Sequence, residues 1–221
     1  MKTDKHKTRK RGFFSFLAHL HPRKIKAGTI GFSPTFCLGG LSAFMFLVLV
    51  ASGTLLLFYY TPGEAALQYG SIITIDQVIA YGWLIRGIHK WAGQLMVVLV
   101  FGHMLRVFMH GAYRPPREGN WVIGVALLIL TVLLDFTGYL LLGDQTAVLA
   151  QNVVGGILNR FPLAGDMLNA IVFGGEPGGS TAGIRIYIWH CIVLPAVLLL
   201  LMLWHFYRVR KDGGVSQGTV L

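Results

Sequence analysis

Four stretches of about 20 apolar residues, near 36–60, 83–109, 121–143 and 184–207, constrain this 221-residue chain more than any other feature. A helix rises about 1.5 Å per residue and a hydrocarbon layer is about 30 Å thick, so each stretch is long enough to cross a membrane. Backbone N–H and C=O groups find no water in lipid and must be satisfied within the crossing segment, which an α-helix does. With 54% hydrophobic and only 13% charged residues, the chain departs from soluble composition. The expected fold is an all-α membrane protein whose four transmembrane helices form one bundle, with short surface helices in the loops.

The net charge of +10 sits beside the apolar stretches and not along them. Lys and Arg crowd the N-terminus (MKTDKHKTRKR, then HPRKIK), the loop after the second stretch (Arg114, Arg117) and the C-terminus (Arg208, Arg210, Lys211). The other two connections are poor in them, Arg160 being the main exception. Such flanking charge implies a lipid surface as partner and no nucleic acid, and the positive-inside rule puts both termini and the middle loop on the cytoplasmic side. A bacterial-type inner membrane or a thylakoid-like membrane is the expected location. Residues 1–30 read as a basic interfacial segment, 31–212 as the transmembrane domain and 213–221 as a tail; no cleavage-site pattern precedes the first span, which is expected to be retained. His6, His19 and His21 belong to the solvated basic segment.

The second and fourth stretches carry two histidines each, His89 with His103 and His190 with His205. At about 100° per residue, the fourteen-residue interval closes to within about 40° of whole turns and the fifteen-residue interval to within about 60°. Each helix therefore presents both histidines on one face, at two levels roughly 21 Å apart. A lone histidine in an apolar helix is ordinarily a hydrogen-bonded structural residue. Four in matched pairs point further, because polar groups in a membrane are costly and have partners, and neutral imidazole ligates haem iron well. Two helices with a ligand near each surface suit two haems, one above the other.

Gly39 and Gly53 in the first stretch, and Gly124 and Gly138 in the third, repeat the fourteen-residue interval. They are read either as close helix packing or as room against the haem faces. Arg86 lies three residues before His89 and Arg106 three after His103; each either snorkels to headgroups or pairs with a haem propionate. The first connection is expected to hold a short surface helix before the second span. The third, from Gly143 to about Gly183, is too long for a simple link and shows helical pattern at 146–159 and 163–173. Asp135 is the carboxylate within the spans, and its reading is open between a structural hydrogen bond and proton handling. Cys37 and Cys191 make no disulfide framework and no CxxCH motif.

Taken together, CLGG, TPGEA, GWLIRGIHKW, GHMLRV, GAYRPPRE, WVIG, FTGYLL with its following DQ, IWHCIVLP and WHFYRVRKDG resemble the cytochrome b/b6 N-terminal domain family, on its b6 side. The resemblance runs over nearly the whole chain after about residue 30, and its fifteen-residue interval and end after the fourth helix are of the b6 type. It implies that His89 and His190 ligate an outer-side haem b, and His103 and His205 an inner-side haem b. It also implies that Cys37 of CLGG holds a c-type haem by a single thioether bond, with simple helix packing as the alternative. Where the family reads GYSLPWDQ, this chain has Gly138, Tyr139, Leu140, Leu141, Leu142, Gly143, Asp144 and Gln145, so the wall of the family's outer quinol site is altered. Cys191 has no counterpart and reads as packing.

The resemblance further implies an electron-transfer subunit, not active alone, of a proton-translocating quinol:cytochrome c or plastocyanin reductase of the bc/b6f type. Electrons would move from an outer quinol-oxidation site to an inner quinone-reduction site. The implied partners are a Rieske iron–sulfur protein, a three-helix subunit carrying PEWY and a cytochrome c subunit, in a homodimeric complex. Two other readings compete: the di-haem cytochrome b anchor of a formate dehydrogenase or hydrogenase, which leaves CLGG and the glycine pairs unexplained, and a non-redox membrane scaffold. The charge asymmetry predicts that reporter fusions at residue 5 and residue 221 both report the cytoplasm; a periplasmic signal from either overturns the assigned orientation.

Overall fold

The computed structural model describes residues 37–212; the basic N-terminal segment and the C-terminal tail lie outside them. Among the described residues the chain is helical throughout. The helices are α1 (Leu38–Leu57), α2 (Ala65–Gln77), α3 (Gly82–Met109), α4 (Glu118–Leu140), α5 (Gln145–Asn159), α6 (Gly165–Val172), α7 (Ser180–Ile188) and α8 (Leu194–Asp212). A π-turn, Trp189–Val193, joins α7 to α8. Four continuous helices are long and apolar enough to cross a membrane: α1, α3, α4, and the 33-residue rod Ser180–Asp212 made of α7, the π-turn and α8. Most of their apolar surface faces outward, as at Phe44, Leu47, Val98, Phe101 and Leu200, which is how helices are arranged when lipid is the solvent.

The bundle is built on α4. One side of α4 packs on α3 and the other on α8, while α1 packs along α3. The two helices that carry the histidine pairs, α3 and α8, make no comparable contact with each other. They face one another across a gap, bridged midway by a small core of Phe46, Met96 and Leu198.

At the end of the bundle where α3 begins, α2, α5, α6 and α7 form a cap over a second core of Leu140, Leu141, Phe173, Ala182 and Ile186. The expected surface helices are therefore present, at Ala65–Gln77, Gln145–Asn159 and Gly165–Val172. Polar groups stitch them to the spans. Asp144 caps α5 by accepting from the Ala147 N–H at 2.7 Å, and the fully buried Gln151 side chain accepts from the Gly178 N–H at 2.8 Å. Tyr60, just beyond α1, stacks on Tyr187 with ring centroids 5.8 Å apart and donates to the Leu141 carbonyl at 2.7 Å. Burial pushes the Tyr60 hydroxyl above the ordinary phenol range, so it stays a donor.

Gly143 accounts for the altered GYLLLGDQ segment. It adopts φ +65°, and a Cβ there would lie 2.5 Å from the Ala65 carbonyl oxygen and 2.7 Å from the Gln68 Cβ. The family's tryptophan has no room at this position, because α2 lies directly against it. At the other end, Phe108, Tyr113 and Trp121 cluster with centroids 5.4 to 6.2 Å apart, an aromatic group of the kind that sits at a membrane interface.

Gly143→Ala is expected to destabilise the cap by about 2 kcal/mol, from the left-handed backbone and the collision with α2 together. Gly156→Ala, where a Cβ meets nothing within 4 Å, should be neutral or slightly stabilising. Thermal unfolding of the two variants in detergent provides the comparison; equal midpoints would contradict the packing described for Gly143.

Candidate functional site

The structure brings the four histidines together in two pairs across the gap between α3 and the α7–α8 rod. His89 and His190 have ring centroids 6.3 Å apart with planes at 74°, and His103 and His205 have centroids 6.4 Å apart at 85°. The unequal sequence intervals give nearly equal spatial ones because His190 lies in the π-turn, where the Leu194 N–H reaches back to the Trp189 carbonyl. A π-turn accommodates one extra residue, taking up about one 100° step. Fifteen residues from His190 to His205 then turn the rod about as far as fourteen turn α3. Pro195 has no N–H to offer the Cys191 carbonyl and crowds it, which disfavours an ordinary α-turn there. That proline, together with the odd interval, is the sequence signal from which the π-turn could have been found.

The hydroxyls of Ser52 and Thr137 orient the first pair, and sequence reasoning missed both. Ser52 Oγ donates to the Val48 carbonyl at 2.7 Å and lies 2.9 Å from His89 Nδ1. Thr137 Oγ1 donates to the Leu133 carbonyl at 2.8 Å and lies 3.1 Å from His190 Nδ1. A hydroxyl has one proton, so each Nδ1–H must be the donor to its hydroxyl, which leaves the Nε2 lone pair of both rings free. The signal was present as two dipeptides, Ser52-Gly53 and Thr137-Gly138, one in each glycine-bearing helix. The second pair lacks these hydroxyls: Leu38 and Ile123 stand at the corresponding positions.

Each glycine lies against one imidazole. A Cβ on Gly53 would come within 3.0 Å of His89 Cε1, on Gly138 within 2.8 Å of His190 Cε1, on Gly39 within 3.2 Å of His103 Cε1 and on Gly124 within 3.7 Å of His205 Cε1. These residues bring α1 and α4 close behind the rings, so the two readings of the glycine pairs merge: close helix packing is what leaves room for the rings.

The rings suit a haem iron held between them. Two metal–nitrogen bonds of about 2 Å each, added to the half-widths of two five-membered rings, come close to the observed centroid separations. The first pair opens on a mainly apolar cavity of about 520 Å³ whose lining includes Gly53, His89, Gly93, Leu134, Gly138 and His190. That volume lies within the range of cofactor-sized sites. Gln94, Asp135 and Lys90 also border this cavity.

The remaining site residues fall as follows. Arg86 borders the same cavity, but its guanidinium forms a two-pronged ion pair with Asp76 of α2; both partners are only partly buried. Arg106 lies in the last turn of α3, beyond His103. Cys37 caps α1 with φ 52° and is exposed, two residues ahead of the glycine that faces His103. Cys191 borders the His89/His190 cavity and is partly buried.

The family model described as cytochrome b(N-terminal)/b6/petB matches residues 94–219. Cytochrome b6 of Prochlorococcus marinus is 38% identical over 178 residues, covering 80% of this chain and 81% of that protein. Cytochrome b6 of Synechococcus elongatus is 40% identical over 178 residues, covering 80% and 82%. Among solved structures, one titled "Hyperthermophilic respiratory Complex III" superposes with a TM-score of 0.71 at 27% identity. It covers 81% of this chain, which spans about half, 48%, of the length of that structure's chain.

Removing the Nδ1 acceptors tests the orientation argument. Ser52→Ala and Thr137→Val are each expected to weaken retention of the group between His89 and His190 by about 10- to 100-fold, as partner losses of this kind do. Gly124→Ala, with its Cβ at ordinary contact distance, should retain both groups. Titration of haem into apoprotein, followed by absorbance, measures both; wild-type affinity in Thr137→Val would discard the role given to its hydroxyl.

Proposed function

From the premise that the chain belongs to the cytochrome b(N-terminal)/b6 family of haem-binding, electron-transporting membrane proteins, we propose that it is the cytochrome b subunit of a quinol:cytochrome c or plastocyanin reductase. The observation that carries this reading is the pair of histidine couples at two depths, each with about the span of one bis-imidazole iron between its rings. In this reading His89 and His190 hold a haem b at the capped end, on the outer side, and His103 and His205 hold a second at the inner end. A haem b supplies reversible one-electron oxidation and reduction at the potential set by its surroundings.

The chain's own contribution is placement and electrostatics. Ser52 and Thr137 keep the two outer imidazoles in the tautomer that leaves Nε2 free, so no ring has to reorient when it ligates. Gly39, Gly53, Gly124 and Gly138 let α1 and α4 support the rings from behind. The mid-bundle core of Phe46, Met96 and Leu198 fills the space between the two levels with apolar side chains and keeps water out of it. Arg86 brings a cation to the outer cavity. Because it is already ion-paired with Asp76, a propionate would have to share it or displace the aspartate. Arg106 is the corresponding candidate at the inner level.

Cys37 is proposed to carry a c-type haem through one thioether bond on the inner side, where an exposed thiol stands beside the His103 level. Quinol and quinone are the proposed substrates. A Rieske protein, a three-helix PEWY subunit and a cytochrome c are the proposed partners, within a dimeric complex whose chain termini are cytoplasmic.

Ligand variants and the thiol variant test this reading together. His89→Ala or His190→Ala should remove the outer haem b, and His103→Ala or His205→Ala the inner one, each halving b-type absorbance. A thioether survives denaturation, whereas axial ligation does not. Wild-type protein from its native host should therefore give a haem-stained band near its mass of 24.3 kDa on a denaturing gel, and Cys37→Ser should lose the stain while keeping both haems b. Full b-type absorbance in any histidine variant overturns the ligand set, and an unstained wild-type band overturns the covalent haem.

A further inference from the structure

Asp135 is an ionisable side chain in the middle of a membrane-spanning helix, and its setting gives it more than a packing role. It stands on α4 one turn from Gly138, about 4.5 Å nearer the membrane centre, and therefore between the two histidine levels. Its carboxylate accepts a hydrogen bond from Gln94 Nε2 of α3 at 3.0 Å and lies over Gly93, where a Cβ would be 3.6 Å from Oδ1. Asp135 and Gln94 both border the cavity that contains His89 and His190. A charge in this position is costly, and intramembrane acids with a defined partner commonly handle protons.

Few groups in the cavity can neutralise the carboxylate. From α3, Arg86, His89 and Lys90 face the cavity. Arg86 is paired with Asp76, His89 is proposed as a ligand, and the Lys90 ammonium lies 5.8 Å from the Trp91 ring, one turn nearer the surface than Gln94. From the α7–α8 rod come Tyr187, His190 and Cys191, from α4 itself Tyr139, and from the segment after α1 Tyr60; α1 contributes no titratable side chain to the lining. Among the described residues no ion pair to Asp135 is formed. Its one defined stabilising contact is a neutral amide, which hydrogen-bonds the carboxyl group without cancelling its charge.

We propose that Asp135 is a proton acceptor coupled to the charge state of the His89/His190 site, taking up a proton when an electron arrives there and releasing it when the electron leaves. This rests on the haem reading above. The exchange balances as one electron, from the quinol of the proposed reaction or from an added mediator, reducing ferric to ferrous iron, and one proton from water forming an O–H bond on the carboxylate. An electron and a carboxylate in the same poorly screened cavity repel each other, so each lowers the affinity of the site for the other. Because Asp135 sits nearer the His89/His190 level, the anionic form lowers the outer potential more than the inner one.

Redox titration of the haem-loaded chain in its native membranes, repeated across pH, tests the coupling. In the wild type the outer haem potential should fall as pH rises. In Asp135→Asn it should be higher at high pH, by at least a tenfold shift in the electron equilibrium, or about 59 mV for one electron, and should lose most of its pH slope, while the inner haem moves less. Asp135→Glu should restore the slope. If Asp135→Asn fails to load haem, the infrared difference spectrum of the wild type decides: a protonated-carboxyl band gained on reduction of the outer haem supports the proposal, and its absence overturns it. Wild-type potential and slope in haem-replete Asp135→Asn overturn this inference alone. A wild type without b-type absorbance overturns the haem reading and this inference with it.

Discussion

The organisation of this protein depends on a gap that must stay open. The histidine-bearing helices, α3 and the α7–α8 rod, are kept apart because each packs on α4 and not on the other. Four glycines then let α1 and α4 approach the imidazoles to contact distance from behind. A larger residue at these positions would drive a ring into the gap or force a helix away from it. In a membrane, where burying apolar surface gives helices no reason to associate, such backbone approach is a principal source of helix–helix attraction. The contacts that hold the bundle together are thus also the ones that shape the space for a cofactor.

The two histidine levels are alike in spacing but not in support. At the capped end, Ser52 and Thr137 hydroxyls fix the ring tautomers, the cavity carries Arg86 and Lys90, and Asp135 with Gln94 borders it from below. At the other end Leu38 and Ile123 stand where the two hydroxyl residues would be. In the proposed reading, two haems with the same ligands and these different surroundings would differ in redox potential, since hydrogen bonding, charge and burial are the means by which a protein tunes a haem.

The cap explains how the chain departs from its relatives without losing the bundle. Gly143, in place of the family's tryptophan, lets α2 press against the start of the α4–α5 connection, and Tyr60 with Tyr187 closes the other side.

Much of this was legible in the chain. The four spans, the surface helices at 146–159 and 163–173, and the histidine faces follow from local periodicity and from the requirement that backbone in lipid satisfy itself, neither of which needs tertiary information. Partnership across helices was not legible, because it depends on how each helix is rotated and how far it slides against its neighbour. That is why Ser52 and Thr137 went unnoticed beside their glycines, why Arg86 turned out to hold Asp76 of a neighbouring helix, and why Asp135 could not be assigned a partner until Gln94 was found opposite it. The fifteen-residue interval marks the boundary most clearly. The count was visible in the sequence, but it took the π-turn at Trp189–Val193 to bring His190 into register with His205, since only the folded backbone decides where an extra residue is accommodated.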